Sequence, residues 1–533
     1  MARLLSLLLL AVASPLAVLA QNTYPIVLVH GFGGWGRDEL FGLKYWGGLQ
    51  GDIQEQLEQE GYTVYTASIG SFSSNWDRAC ELYAQIKGGQ VDYGAKHSAA
   101  HEHSQLGRNY SALYPEWGEE NADGSVNKIH LIGHSMGGQT VRMLTQMLEK
   151  GTTGAPVEED AASHPLFEGG KSWVHSITTI STPNQGTTLA DGLSEIGDTM
   201  KDLIVTVLSA VGIGGDDASM VYDAQLDQWN ISAKADDETL GEYYDRVFSS
   251  KIFDPDFTDV CVWSLSVAGA KEESTWVETL ENVYYYSYAT IDTFNSRDWL
   301  LRKISLPNIL TMLPALDVTS IFLGSRYAPD DLGLSTDWQP NDGAVNTISM
   351  SQDYVGELVT YSGTSEIGKW NEMQQLTGLD HMAITGFTLF TEVFDIYLSH
   401  AQLLVSLPVD SSERSISSLF NELVNSTIGS AISSLISAAS NVQSAADVEE
   451  LCSSPADSYA ESYCETMTAR AKDGNITANA TIADMTLTRA TTTDESVTAE
   501  VTTAPIVESD TATESPVVQT VTPKVGCATR LRR

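Results

Sequence analysis

The sequence predicts an α/β fold with a mostly parallel central sheet, and two observations support it. First, short apolar runs rich in β-branched residues occur at 25–29, 128–133 and 176–181, with stretches of helical spacing between them. Parallel strands are buried on both faces, so they are apolar along their length instead of alternating. Second, the run at 128–133 passes through a glycine-rich turn into a helical pattern. Strand, turn and helix in this order build a layered α/β domain.

The first twenty residues have the pattern of a secretory signal. Arg3 precedes an apolar run from Leu4 to Ala13 that is too short to span a bilayer, and small residues precede Gln21. We therefore expect cleavage before Gln21 and a secreted, extracellular protein. We expect no transmembrane segment, and the formal net charge of −41 does not suit nucleic-acid binding.

Composition divides the remaining chain into three predicted parts. Residues 21–400 are dense in aromatic and aliphatic side chains and form the predicted α/β domain. Residues 401–471 place apolar side chains near helical spacing among serines and alanines, which predicts a helical appendage. Residues 472–533 are acidic and threonine-rich, which predicts a disordered tail that cannot bury enough apolar surface to fold.

Cysteines and glycosylation sequons fit a secreted chain. Of the five cysteines, Cys452 and Cys464 are close in sequence, and we expect them to form a disulfide. An odd number leaves at least one cysteine unpaired. Glycosylation sequons, which predict a glycoprotein with these positions at its surface, occur at Asn109, Asn230, Asn425, Asn475 and Asn479.

The pentapeptide Gly133-His134-Ser135-Met136-Gly137 matches the nucleophile elbow of the α/β-hydrolase fold. Such a serine occupies a tight turn between a strand and a helix, and the flanking glycines avoid side-chain clashes there. A strand pattern precedes Ser135 and a helical pattern follows it, so the context agrees with the motif. The alternative is an ordinary glycine-rich turn. The sequence therefore favours a serine ester hydrolase with Ser135 as nucleophile.

The loop His30-Gly31-Phe32-Gly33-Gly34 follows the first apolar run. In this fold, such a loop supplies one backbone N–H of the oxyanion hole, and the residue after the nucleophile supplies the other. We predict these donors to be the N–H groups of Phe32 and Met136.

The acid and the histidine of the triad are expected downstream of the nucleophile. His381, in a turn-like segment, and His400, at the end of an apolar helical run, are the histidines that follow residue 182, and we expect His400 at the surface. His381 is therefore the predicted base. Several aspartates could be its partner, and the pattern alone leaves Asp342 open against Asp330, Asp331 and Asp337.

Over residues 24–400 the chain resembles the zinc-containing thermoalkalophilic lipases of Gram-positive bacteria, which belong to the α/β-hydrolase superfamily. The resemblance assigns the triad to Ser135, Asp342 and His381. The segments that carry it are His30–Arg37, Lys44–Gly48, Ser73–Glu81, Val91–Ala95, His134–Gln139, Leu226–Trp229 and Asn341–Gly343.

The resemblance also implies a structural zinc in an insertion, with Asp77, His97, His103 and Asp227 as ligands. Three of the ten histidines lie between positions 97 and 103, although a polar surface loop would give the same cluster. Imidazole and carboxylate ligands in a closed set of four suit zinc. His101 matches no ligand position.

Calcium is doubtful on the same comparison. The family binds calcium partly through two carboxylates, whose positions here are Ala383 and Thr388. Neither side chain can supply a carboxylate oxygen.

The stretch from Leu189 to Val211 has apolar residues at helical spacing and acidic residues on much of the other face. Spacing alone fits a packed helix equally well, and the resemblance favours a lid over the active site. The resemblance thus implies a triacylglycerol lipase that acts at an oil–water interface. A carboxylesterase or phospholipase with the same triad, or an inactive surface-binding relative, is the alternative.

Overall fold

The computed structural model describes residues 22–192, 221–254, 256–326 and 334–409. The chain divides into two units after Phe420, and all described residues belong to the first. The predicted signal peptide, most of the predicted lid, the Cys452–Cys464 pair and the tail therefore lie outside them. Among the described residues, no helix combines the length and apolar character that a membrane crossing needs.

The strands are, in chain order, β1 Ile26–Val29, β2 Val64–Ala67, β3 Gly89–Asp92, β4 Leu106–Tyr110, β5 Ile129–His134, β6 Val174–Ile180, β7 Tyr284–Tyr288, β8 Thr290–Ile291, β9 Thr293–Arg297, β10 Lys303–Pro307, β11 Leu358–Thr360, β12 Trp370–Glu372 and β13 Leu376–Thr377. The α-helices are α1 Ile53–Gln59, α2 Asn75–Lys87, α3 Ala95–His101, α4 Met136–Lys150, α5 Pro165–Glu168, α6 Thr188–Asp191, α7 Leu240–Phe248, α8 Cys261–Leu265, α9 Val267–Glu273, α10 Pro314–Ser325 and α11 Phe394–Ser406. Short 3₁₀ helices occur at Leu40–Gly42, Asp227–Trp229, Lys251–Phe253, Thr336–Trp338, Thr347–Met350 and Ala383–Thr385.

Seven strands form the central sheet in the order β11-β12-β7-β6-β5-β1-β2. Every neighbouring pair in it is parallel, which confirms the predicted fold class. The remaining described strands form two-stranded ladders: β3 with β4 and β9 with β10 are antiparallel, and β8 with β13 is parallel.

Apolar side chains pack on both faces of the sheet, as the continuous apolar runs predict. Along β1, Ile26 and Leu28 belong to one buried cluster, whereas Val27 and Val29 belong to the other. Helices α1 and α11 contribute to the first cluster, and α2 and α4 contribute to the second. The sheet is therefore the middle layer of three.

Helix α11 runs through the predicted domain boundary at residue 400. Its residues Ala401 and Leu404 are fully buried in the first cluster, so the α/β domain continues at least to the end of this helix. His400 is 3% exposed, and its imidazole is hydrogen-bonded to Thr178 at 2.6 Å and Tyr288 at 3.0 Å. The expectation that His400 lies at the surface was wrong, because this face of α11 packs against β6 and β7.

Parallel pairing positions the chemistry at one edge of the sheet. Val29, the last residue of β1, is in register with Gly133 near the end of β5. The loops that follow these strands therefore meet at the carboxyl edge, where ligands of α/β sheets bind.

Candidate active site

Ser135 is the single residue between β5 and α4, and its backbone has φ 56° and ψ −132°. Few residues other than glycine adopt this conformation, and an elbow of this kind projects the serine side chain from the turn. The flanking glycines are required by space: a Cβ on Gly133 would overlap the backbone of Gly137, and a Cβ on Gly137 would overlap the carbonyl of Val29. The turn can therefore be this tight only with glycine at both positions.

The structure brings the three residues of the sequence-predicted triad together. His381 Nε2 lies 2.9 Å from Ser135 Oγ, and His381 Nδ1 lies 2.8 Å from Asp342 Oδ2. Asp342 is fully buried, whereas Ser135 and His381 are 6% and 7% exposed. The predicted nucleophile, base and orienting acid are thus within hydrogen-bond distance of one another, in the order that acyl transfer would require.

The carboxylate of Asp342 has further donors that fix its orientation. Val345 N–H donates to Oδ1 at 2.8 Å, and the Thr290 hydroxyl donates to Oδ2 at 2.8 Å. Among the alternatives left open by the sequence, Asp337 is an exposed partner of Lys303 at 3.7 Å. Asp330 and Asp331 lie outside the described residues. Of the described alternatives, only Asp342 reaches the His381 imidazole.

The predicted oxyanion loop lies directly against the nucleophile. A Cβ on Gly31 would approach the Ser135 Cβ to 2.5 Å, and Arg78 Nη2 donates to the His30 carbonyl at 2.5 Å. No hydrogen bond among the described residues uses the N–H of Phe32. Met136 begins α4, so its N–H is one of the four that a helix leaves without an internal partner.

A second hydrogen-bonded series connects the loops around the triad. Gly31 N–H donates to the Tyr45 hydroxyl at 3.0 Å, and that hydroxyl lies 2.6 Å from His134 Nδ1. His134 Nε2 in turn lies 2.9 Å from the His381 carbonyl oxygen. Burial lowers the pKa of His134 well below its usual value, so the imidazole is neutral. Its Nε2–H donates to the His381 carbonyl, and its Nδ1 accepts from Tyr45.

Sequence reasoning did not assign a role to Tyr45 or His134. Both residues occur in the quoted family segments, and His134 is one of the two variable positions of the elbow motif. The elbow motif accepts any side chain at this position, so the sequence gives no sign of a role for His134. The contact with Tyr45 becomes apparent only in the folded structure.

Four ionisable residues converge from helix α2, from the insertion between α2 and β5, and from the loop before α8. Asp77, His97, His103 and Asp259 each offer one ligand atom, and these atoms lie within 4.8 Å of one another. This result corrects the predicted set, because Asp259 takes the place expected for Asp227. The group is a candidate metal site.

Asp227 points away from the group. Its carboxylate forms an ion pair with Arg108 and its side chain is 44% exposed. The neighbouring Gln228 faces inward and donates to Asp77 Oδ2 at 3.0 Å. Asp259 reaches the group because Val260 forms an isolated bridge with Ser73, just before α2. No sequence motif surrounds Asp259, so this long-range bridge was not predictable.

The four residues fit a cation of tetrahedral preference. One buried polar atom of each makes no hydrogen bond: Asp77 Oδ1, His97 Nε2, His103 Nε2 and Asp259 Oδ2. These atoms face one another as ion pairs, with His97 Nε2 at 3.2 Å from Asp77 Oδ1 and His103 Nε2 at 3.3 Å from Asp259 Oδ2. His103 Nδ1 is bonded to the Ser104 carbonyl at 2.9 Å, which directs Nε2 to the group. Burial opposes protonation of His97, but the carboxylates of Asp259 and Asp77 outweigh it and raise the pKa of His97 to about 10. The two carboxylates thus favour positive charge at the centre of the group.

Ala383 and Thr388, the positions that match calcium ligands in the family, lie in a loop held by backbone and glutamine hydrogen bonds. Ala383 is buried, and the carbonyl of Thr388 accepts from Gln50 Nε2 at 3.0 Å. The same amide donates to the Thr391 carbonyl at 2.6 Å, and Gln50 Oε1 accepts from Val393 N–H at 3.1 Å. A glutamine side chain therefore fastens the loop that follows the catalytic histidine candidate.

Cys80 and Cys261 are buried free thiols. Asn109 and Asn230, the two sequons among the described residues, are exposed, as expected for glycosylation sites.

A family model described as "Lipase-like, C-terminal domain" matches residues 22–395. The chain is 32% identical over 373 residues to a lipase of Staphylococcus hyicus, covering 69% of this chain and 54% of that protein. It is 34% identical over 378 residues to a lipase of Staphylococcus epidermidis, covering 69% of this chain and 50% of that protein. The chain thus spans about half the length of these curated relatives.

Solved structures agree with this relationship. EstA from Clostridium botulinum has a TM-score of 0.64 and 42% identity, with 73% of this chain and 89% of that chain covered. Lipase 1 from Pelosinus fermentans has a TM-score of 0.64 and 45% identity, with 73% and 100% covered. The Staphylococcus hyicus lipase has a TM-score of 0.57 and 30% identity, with 72% and 96% covered. The family model, the curated relatives and these structures together confirm the predicted resemblance, and the chain belongs to the lipase-like C-terminal domain family.

Proposed function

We propose that the protein is a secreted serine ester hydrolase that cleaves triacylglycerols. The observation that carries the proposal is the continuous hydrogen-bonded series Ser135–His381–Asp342 beneath the His30–Gly34 loop. The relatives named lipases extend it to lipid esters as the substrate class.

In the first half-reaction, Ser135 Oγ attacks the ester carbonyl carbon while His381 Nε2 accepts the hydroxyl proton. The carbonyl oxygen becomes an oxyanion that accepts hydrogen bonds from the N–H groups of Phe32 and Met136. The tetrahedral intermediate then collapses, the carbon–oxygen bond to the alcohol breaks, and His381 returns the proton to that alcohol. Asp342 orients the imidazole and stabilises its positive charge.

In the second half-reaction, water replaces the alcohol. His381 takes a proton from the water as its oxygen attacks the acyl-enzyme carbonyl. Collapse of this second tetrahedral intermediate breaks the bond between the acyl carbon and Ser135 Oγ, His381 returns the proton to Oγ, and the fatty acid is released.

A structural zinc is part of the proposal. Asp77, His97, His103 and Asp259 supply four ligands, and a closed set of four protein ligands serves structure rather than catalysis. When bound, the ion would cross-link the insertion to the loop before α8.

Extracellular localisation rests on the apolar leader at 1–20, which lies outside the described residues, and on the relationship to the staphylococcal lipases. A lid formed by residues 189–211 is also part of the proposal. Of the stretch 189–211, the structure describes only the start, where Thr188–Asp191 is helical.

Hydrolysis of esters of increasing chain length, below and above their solubility, tests the assignment. We expect the rate on a long-chain ester to rise when the ester passes from solution into an emulsion. Ser135→Ala should abolish both rates. Activity confined to short, soluble esters would instead indicate a carboxylesterase. Wild-type protein that is inactive on every ester would indicate a surface-binding relative without catalysis.

A further inference from the structure

The hairpin of β9 and β10 presents three apolar side chains at its tip. Trp299, Leu300 and Leu301 are 87%, 49% and 72% exposed. The tip is nevertheless an ordered turn: Leu301 N–H donates to the Asp298 carbonyl at 2.9 Å, and Arg297 Nη1 donates to the Leu301 carbonyl at 2.7 Å. The hairpin therefore holds large apolar groups in water, which soluble proteins rarely do without a binding role.

Further apolar groups are exposed at the base of the hairpin. Ile309 and Leu310, just after β10, are 73% and 78% exposed. Helix α10 supports this base, since Gly324 lies so close to the Ser305 carbonyl that a side chain would overlap it. We call Trp299, Leu300, Leu301, Ile309 and Leu310 the hairpin surface.

The charge of the hairpin is opposite to that of the chain. Residues 293–307 contain Arg297, Arg302 and Lys303 against the single acid Asp298, whereas the whole chain has a formal net charge of −41. Arg302 is paired with Asp298 at 2.7 Å, and the half-exposed Lys303 lies 3.7 Å from Asp337. Basic residues beside tryptophan and leucine are the pattern of segments that bind anionic lipid–water interfaces. The negative net charge of the whole chain opposes its binding to an anionic interface. Binding therefore requires a locally positive segment.

The base of the hairpin is attached to both loops of the triad. The N–H of Asp292, before β9, donates to the carbonyl of Asn341 at 3.1 Å, and Asn341 directly precedes Asp342. The N–H of Leu313 donates to Asp380 Oδ2 at 2.7 Å, and Asp380 directly precedes His381. A lipid surface that binds this hairpin is therefore held beside the active site.

We propose that the hairpin surface docks the protein on an anionic lipid–water interface, with Trp299 and Leu301 inserted among acyl chains and Lys303 near the acidic headgroups. The inference rests on the proposed lipase function, because ionised fatty acids released by ester hydrolysis would give an oil droplet this negative surface.

Vesicle binding by the full chain carrying Ser135→Ala separates docking from hydrolysis. The probe is a vesicle of phosphatidylcholine with oleate, and binding is measured by flotation. Trp299→Asp with Leu301→Asp should weaken partition by about ten-fold or more, because two apolar side chains no longer enter the interface. The matched control is Leu106→Asp, which changes a 50% exposed leucine on β4 and should leave partition unchanged.

Charge is tested by Lys303→Gln, whose lysine lies 3.7 Å from an acidic partner, Asp337. This variant should lose part of the preference for oleate-containing over pure phosphatidylcholine vesicles. Lys251→Gln is the control, since Lys251 is also paired with an acid, Glu102, at 3.2 Å. Equal preferences in the two variants would contradict the electrostatic part of the proposal.

A fluorescence measurement covers the case in which the aspartate variants misfold. Brominated lipids should quench the tryptophan emission of the parent more than that of Trp299→Phe. Absent vesicle binding, unchanged binding of the double variant, or equal quenching would overturn the proposal. The proposal would also be overturned if the Trp299→Asp, Leu301→Asp variant lost self-association in lipid-free solution but bound vesicles as the parent does. The partner of the hairpin surface would then be a second copy of this chain. Vesicle binding with no triacylglycerol hydrolysis by the wild type would instead overturn the proposed function and leave docking in place.

Discussion

At the scale of single residues, one tyrosine connects the loops of the proposed triad without touching any of the three side chains. Tyr45 accepts from the Gly31 N–H of the oxyanion loop and donates to His134, which holds the His381 carbonyl. The oxyanion loop, the elbow and the histidine loop are therefore positioned by one buried hydroxyl. Tyr45 is a positioning residue, because it would contact no reacting atom.

Tyr45→Phe removes this hydroxyl and leaves a buried N–H and a buried imidazole nitrogen without their partner. We expect kcat on a soluble ester to fall by about ten-fold with little change in KM, because small displacements of catalytic groups slow the chemical step more than binding. The control is Tyr285→Phe, since the buried Tyr285 hydroxyl also accepts a backbone N–H, from Leu280 at 2.9 Å. Equal kcat values for the two variants would contradict the positioning role.

A second residue-scale prediction concerns the carboxyl beside the triad histidine. Burial raises the pKa of Asp380 to about 7, although three backbone N–H groups that donate to it act in the opposite direction. In an unfolded chain the pKa is about 3.9. The folded protein therefore binds more protons than the unfolded one between these values, and this group's contribution to stability decreases as pH rises through that window.

Asp380→Asn cannot titrate, so the melting temperature of the variant relative to wild type should increase from pH 4 to pH 8. The differential free energy is on the order of 2–4 kcal/mol. Thermal unfolding of both proteins at several pH values measures it. The amide also loses an acceptor for Leu313 N–H, but that cost is independent of pH. If the melting temperatures of wild type and Asp380→Asn changed with pH in parallel, the raised pKa of Asp380 would be contradicted.

Ser135 and the fold class were predictable because both leave local patterns. The elbow needs glycine at fixed positions, and β1, β5 and β6 are buried on both faces and so are apolar throughout. Asp259 was not predictable, because a long-range bridge brings it to the metal group. His400 was assigned to the surface because an apolar helix end gives no sign of which face packs on the sheet.

At the scale of elements, short and partly exposed strands escaped the sequence analysis. β11 has three residues, two of them exposed, and it lies at the edge of the sheet. Edge strands lack the continuous apolar run, so only their pairing defines them. The sequence thus predicts the centre of the sheet better than its margins.

The metal group makes a prediction at the same scale, because it joins α2, α3 and the loop before α8. Asp259→Asn should remove bound zinc and lower stability by about 4 kcal/mol when zinc exceeds its dissociation constant a thousand-fold. Asp227→Asn is the matched control and should keep the zinc, since Asp227 is paired with Arg108. Elemental analysis gives the zinc content, and thermal unfolding with and without a chelator gives the stability.

The reverse pattern, with zinc lost in Asp227→Asn and kept in Asp259→Asn, would contradict the ligand set of the structure. Calcium rescue of the chelated protein would contradict the choice of metal. Retention of soluble-ester activity by the metal-free protein at low temperature is expected, because the triad lies outside the group.

At the scale of the whole molecule, the family match ends at residue 395, well before the end of the chain. The composition of residues 472–533 predicts a segment without a core of its own. Deletion of this segment should therefore leave specific activity and melting temperature nearly unchanged. A large loss of either would show that the segment folds onto the α/β domain.

The proposed activity requires that Ser135 be a nucleophile activated by His381 and Asp342. Reaction with a fluorophosphonate, followed by mass spectrometry of the peptides, tests this requirement, because only an activated serine reacts readily with the reagent. We expect one adduct per chain on the peptide that contains Ser135, and rates that fall by several orders of magnitude in Ser135→Ala and His381→Ala. An unlabelled wild-type protein, an adduct on another serine, or undiminished labelling of Ser135→Ala would contradict it.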